Sequence, residues 1–149
     1  LDTPDTVLMA VVNVKGTLGT ATSKRLVLPG TFFESRQKTP FVSEEKRIEP
    51  ADMHYAERVD EQITYELPEG IAVEATPKDT QIPWQGHAVY GLKTAPAAGS
   101  VTVTRQIVRA FAEAKPQEYQ DLRGFYRKVA AADQQQLVLS AVPQPTKGN

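Results

Sequence analysis

Ile63-Thr64-Tyr65-Glu66-Leu67-Pro68-Glu69-Gly70-Ile71-Ala72-Val73-Glu74-Ala75 sets two strand patterns on either side of a turn. From Asp60 to Leu67 the residues alternate. Ile63, Tyr65 and Leu67 share one face, and Gln62, Thr64 and Glu66 share the other. A repeat of two residues is that of a half-buried strand. Pro68 presets φ for the first corner of the turn, and Gly70 accepts positive φ at its end. Ile71 to Ala75 resumes the strand, and Pro77 stops it.

Downstream the same repeat continues. His87, Val89 and Gly91 alternate with Ala88, Tyr90 and Leu92, and Ala95 to Gly99 forms a small-residue turn. Val101, Val103, Arg105, Ile107 and Arg109 then oppose Thr102, Thr104, Gln106, Val108 and Ala110 along one long strand. Helical spacing occurs once. Pro116 suits a first helical turn, where its missing N–H costs nothing. Tyr119, Leu122, Phe125 or Tyr126, Val129 and Ala130 make the apolar stripe, while Arg123, Arg127 and Lys128 face water. Asp133 lies where the stripe ends, Gln136 to Val142 is a last strand, and 143–149 is expected to be a disordered tail.

Upstream, Val7 to Val14 is apolar and β-branched and predicts a strand ended by Gly16. Thr17 to Leu28 predicts a second. The polar stretch from Thr31 to Arg58 is read as an extended connection from one sheet to another, pinned by Phe33 and Phe41. Short alternating strands, turns between them and one helix predict a mainly β fold. The expected form is a single antiparallel β-sandwich domain over 1–149, with one C-terminal amphipathic helix followed by a last strand. The helix is expected to cap one end or cover a sheet edge.

A net charge of −1 gives no bulk field to attract nucleic acid or anionic lipid. The absence of cysteine excludes disulfides, thiolate metal sites and a cysteine nucleophile. The apolar run Val7 to Val12 is far too short to span a bilayer. His54 and His87 are the two histidines, and no close set of ligands accompanies either, so no metal and no cofactor are expected. His54, near Asp52 and Glu57, is read as a solvated loop histidine rather than a general base, and His87 as a strand-edge residue. The acids Glu44, Glu45, Glu57, Asp60 and Glu61 lie beside Lys46, Arg47 and Arg58, which suits a solvated ionic surface better than a glycosidase pair. The candidate partner or ligand surface is Trp84, Tyr90, Arg105 and Arg109: an aromatic pair that could stack on a sugar or a protein, and two cations on one strand face that could pair with a neighbouring domain. The other readings are a core anchor for its loop at Trp84 and, for the two arginines, the polar face of an edge strand, which is the favoured one.

Several stretches in order carry a family resemblance. They are Arg25-Leu26-Val27-Leu28-Pro29, Phe32-Phe33 to Pro40-Phe41, and Ile63 to Gly70 with Val73-Glu74-Ala75. Glu118 through Asp133 and Leu137-Val138-Leu139 complete the set. From about Val7 to Val142 the chain resembles the C-terminal β-sandwich domain of bacterial exported transglutaminase-like proteins. The resemblance implies a longer polypeptide with an N-terminal β-sandwich, a papain-like core bearing a Cys-His-Asp triad, and this domain. It implies a location outside the cytoplasm, in the periplasm or cell envelope. Separately, Leu1-Asp2-Thr3-Pro4 shows neither an initiator Met nor a basic-then-apolar signal, so Leu1 is read as a boundary inside a longer gene product, with a mature terminus after signal cleavage as the alternative. None of the triad carries over to this chain. The expected function is therefore an accessory domain whose partners are the core and N-terminal domain of the same polypeptide. The alternative is a module binding carbohydrate or cell envelope through Trp84 and Tyr90.

Overall fold

The strand patterns flanking Pro68-Glu69-Gly70 belong to two different sheets. The computed structural model describes residues 8–16, 18–32, 41 and 44–141. The elements in chain order are β1 (Thr20–Ala21), β2 (Arg25–Pro29), β3 (Ala51–Asp52), β4 (Glu57–Glu66), β5 (Ile71–Ala75), β6 (Thr80–Trp84), β7 (Ala88–Ala97), β8 (Ser100–Arg109), β9 (Glu113–Ala114), α1 (Tyr119–Asp133) and β10 (Gln136–Ala141). One antiparallel sheet has the order β4-β8-β7-β6, and the other has β1-β2-β10-β5. β3 and β9 form a separate two-stranded pair. Neither large sheet closes into a barrel.

The corner at Leu67 to Gly70 carries the chain from one sheet to the other. Its turn closes by the Ile71 N–H donating to the Pro68 carbonyl at 3.2 Å, and Gly70 has φ 79°. β2 and β4 also lie in different sheets, and the stretch between them includes β3; residues 33–40, with Phe33, lie outside the described residues. Phe41 packs on Tyr119 and Tyr126, with ring centroids 6.5 and 5.6 Å apart.

One core holds the inward faces together. The β4 sheet supplies Tyr65, Ile82, Tyr90, Leu92, Val101 and Val103, and the other sheet supplies Leu28, Leu137 and Leu139. To the same core α1 contributes Tyr119, Leu122, Phe125, Tyr126, Val129 and Ala132, and its main neighbour is the edge strand β6. Both Phe125 and Tyr126 are buried, so the stripe is wider than a choice between them allows. Arg127 and Lys128 face water, whereas Arg123 is half-buried. A 3-10 turn at Pro116–Glu118 precedes the helix, and Glu118 accepts from the Lys115 N–H at 2.8 Å.

Three expectations change. Residues 8–14 form no strand, and their large apolar side chains are exposed. The turn predicted over Ala95 to Gly99 shrinks to Ala98 and Gly99, since Ala97 pairs with Ser100 and Gly99 takes φ 74°. Pro96 is tolerated in β7 because β6 pairs with β7 only as far as Leu92, leaving the rest of that side an edge. β6 itself contains Pro83 and reads as a loop in sequence; as an edge strand it accommodates the missing donor. The expected tail at 143–149 lies outside the described residues.

Candidate functional site

The inner face of β4 and β8 is where the chain concentrates its polar chemistry. Antiparallel register sets Glu57 opposite Arg109 and Glu61 opposite Arg105. The Arg109 Nη2 lies 3.0 Å from Glu57 Oε2 and donates to the Tyr55 carbonyl at 3.2 Å, while Nη1 reaches the Tyr126 hydroxyl at 3.4 Å. Glu61 is buried and accepts from the Phe32 N–H at 3.0 Å.

Arg105 is 5% exposed and finds its counterion on the helix. Its Nε and Nη2 donate to the two Asp133 carboxylate oxygens at 2.8 and 3.0 Å. Asp133 is the last residue of α1, so this fork ties the helix end to the middle strand of the sheet. Such bidentate charged hydrogen bonds fix geometry as well as attract. The Tyr90 hydroxyl donates to the same Asp133 Oδ1 at 2.6 Å, and the guanidinium lies 5.4 Å from the Tyr90 ring centroid. Burial opposes the Arg105 charge, but the hydrogen bond and charge of Asp133 outweigh it and hold the guanidinium above its ordinary pKa. Burial, then the Asp133 hydrogen bond and charge, push the Tyr90 phenol above its ordinary pKa. Tyr65, whose hydroxyl donates to Pro29 O of the facing sheet at 2.6 Å, is pushed up to about 12 by burial and by the nearby Glu61 charge.

A second cluster sits at the β6–β7 turn. Trp84 stacks on His87, with centroids 4.4 Å apart and planes 8° from parallel, and Phe111 meets both edge-on. The Trp84 ring also lies 6.1 Å from Phe125. His87 Nδ1 is 3.0 Å from Gln85 O, and Nε2 is 3.2 Å from Glu118 Oε1. The Glu118 carboxyl is held below its usual range, first by the Lys115 N–H and then by His87.

The four residues proposed from sequence therefore do not form one outer surface. Tyr90 is fully buried, Arg105 nearly so, and the Arg109 side chain is 11% exposed in its pair with Glu57. Arg105 and Arg109 share a face, but it is the inner face of a central strand. Trp84 is half-buried and anchored in the core. The pairing of Tyr90 with Trp84 as an exposed stacking platform is overturned by the burial of Tyr90. His54 is exposed beside Asp52, with Nδ1 3.1 Å from Oδ2. The sequence reading missed Asp133 as the counterion of Arg105. The equal four-residue spacing of Glu57/Glu61 and Arg105/Arg109 was the available signal for the cross-strand pairs.

Both Asp133 oxygens accept charged or phenolic donors, so this carboxylate is taken up in joining the helix end to β7 and β8. Among the described residues, no group of three His, Cys, Asp or Glu side chains could hold a metal ion. A shallow groove of about 560 Å³ on the second sheet is lined by Lys24, Arg25, Glu74 and Ser140, among others. There Arg25 Nε donates to Glu74 at 2.8 Å, and none of the four candidate residues lines it. No described helix is long and apolar enough to cross a membrane.

The profile of a domain of unknown function with a solved structure, DUF3858, matches residues 24–139. The chain belongs to the DUF3858 family. A solved structure, a putative protease from Parabacteroides distasonis, shares the fold of this DUF3858 chain with a TM-score of 0.64 at 17% identity. The match covers 80% of this chain and 24% of the other, so the shared fold spans about a quarter of that protein's length. No curated protein matches the sequence.

Proposed function

We propose that this DUF3858 chain is a non-catalytic accessory domain of a longer, exported transglutaminase-like protein, where it packs on and positions a papain-like catalytic core. The observation that carries this reading is the fate of its reactive side chains. Arg105, Tyr90 and Glu61 are buried and the Asp133 side chain is 9% exposed, in contacts that hold α1 and the two sheets together, and the chain has no cysteine. The larger solved protein named as a protease supports it, because there the same fold is one part among others. The transglutaminase-like assignment rests on the order of motifs from Arg25 to Leu139.

The test is peptide hydrolysis and glutamine–lysine cross-linking by the isolated chain and by its native polypeptide. The native polypeptide is expected to be active and the isolated chain inactive. Efficient turnover by the isolated chain, or a native polypeptide lacking a Cys-His-Asp core, would overturn the proposal.

A further inference from the structure

The least explained feature of the described chain is Leu8-Met9-Ala10-Val11-Val12-Asn13-Val14. Its five large apolar side chains, Leu8, Met9, Val11, Val12 and Val14, are between 53% and 93% exposed. The segment belongs to none of the three sheets among the described residues. As an extended strand it would present Leu8, Ala10, Val12 and Val14 on one face, with Met9, Val11, Asn13 and Lys15 on the other. One face is wholly apolar, and the composition is strongly β-forming. A contiguous exposed apolar run of this kind marks an interaction site.

We infer that residues 8–14 are a β-strand that completes a sheet of the adjoining folded unit in the same longer polypeptide. This rests on the accessory-domain reading and names the surface through which that domain engages its neighbour. Two observations select the occupant. The segment precedes residues 24–139, the span matched by the family and the span that contains both large sheets apart from β1 and the final residues of β10. The similar solved protein keeps about three quarters of its length outside the shared fold, where a receiving sheet can reside. Pairing between the same segment of two copies would give only a two-stranded ribbon, which is marginal in water; a preformed sheet with an apolar face is what stabilises such a strand. Backbone hydrogen bonds to that sheet edge would give affinity, and pockets for Leu8, Val12 and Val14 would give specificity.

Amide hydrogen exchange of residues 8–14 tests this in the 149-residue chain and in the native polypeptide. The expected result is exchange near the unfolded rate in the chain and at least 100-fold slower exchange in the native polypeptide. Val12→Lys should abolish that protection while leaving the melting temperature of the isolated chain unchanged. Protection in a monomeric isolated chain would show that the segment folds back on its own domain. Protection that appears with dimerisation and is lost on dilution would assign it to a second copy. Rapid exchange in both forms would mean that it pairs with nothing. Each of these three outcomes overturns the inference. Sequencing the native polypeptide separates the two proposals: absence of a Cys-His-Asp core removes the transglutaminase-like reading and leaves the strand pairing standing or falling on exchange alone.

Discussion

The inner face of β8 and the segment 8–14 invert the usual partition of polar and apolar residues. Arg105 is 5% exposed, whereas Leu8 is 93% exposed. The difference is one of partners. Arg105 has Asp133 and Tyr90 on one side and Glu61 opposite it in register, so its charge is met inside the fold. Leu8 to Val14 have no strand beside them among the described residues. A charged side chain is stable indoors when its counterion is built in, and an apolar strand stays outdoors when its sheet lies elsewhere.

The comparison breaks most easily at Asp133. Asp133→Ala leaves the Arg105 guanidinium buried without its fork, and the expected cost is about 3–5 kcal/mol in urea unfolding. The paired change Arg105→Met with Asp133→Leu should recover most of that loss, because no charge then remains uncompensated. A loss below about 1 kcal/mol for Asp133→Ala would mean that water reaches the guanidinium.

Phe125→Ala, which empties the core beside Trp84 and Tyr126, should cost about 3–5 kcal/mol and unfold the helix together with the sheet. Separate transitions by Trp84 fluorescence and circular dichroism would show instead that α1 docks as an independent unit.

Alkali probes the same interior through its phenols. Tyr65 is held at about 12 in the folded state against an ordinary value near 10, and Tyr90 is raised further. The unfolded chain therefore ionises first. The stabilisation is fully present below about pH 10 and is lost progressively as pH rises from there through about 12. For Tyr65 this amounts to about 2–3 kcal/mol. The phenolate absorbance of Tyr65 and Tyr90 should rise in step with unfolding. A single smooth titration near pH 10 with the fold intact would contradict the burial of these hydroxyls.

The smallest effect belongs to the exposed segment. Val12→Lys in the isolated chain should change unfolding free energy by no more than about 0.5 kcal/mol, since it removes no packed contact. A loss of about 1.5 kcal/mol would place Val12 in this domain's own core.

Much of the fold was legible because alternation and helical spacing are local signals. β4, β5, β8, α1 and β10 follow their patterns to within a few residues. β6 was hidden by Pro83, whose edge position becomes visible only once the strand order is known. Residues 8–14 carry a true strand pattern, but a pattern specifies a face to be buried and not the sheet that buries it. The candidate surface failed for a related reason. Arg105 and Arg109 share a face with Val101, Val103 and Ile107, which the alternation points inward, but their own charge suggested a polar outer face. Their inward direction depends on Asp133, which lies 28 residues away and meets Arg105 only when α1 packs on the sheet.

The central claim is that this chain acts by docking on the rest of its polypeptide. Titration calorimetry of the 149-residue chain into the native polypeptide with this domain deleted tests it most directly. The account predicts saturable one-to-one binding that Val12→Lys abolishes without unfolding the domain. No heat of binding from a folded chain and an intact partner, or binding indifferent to Val12→Lys, would contradict it.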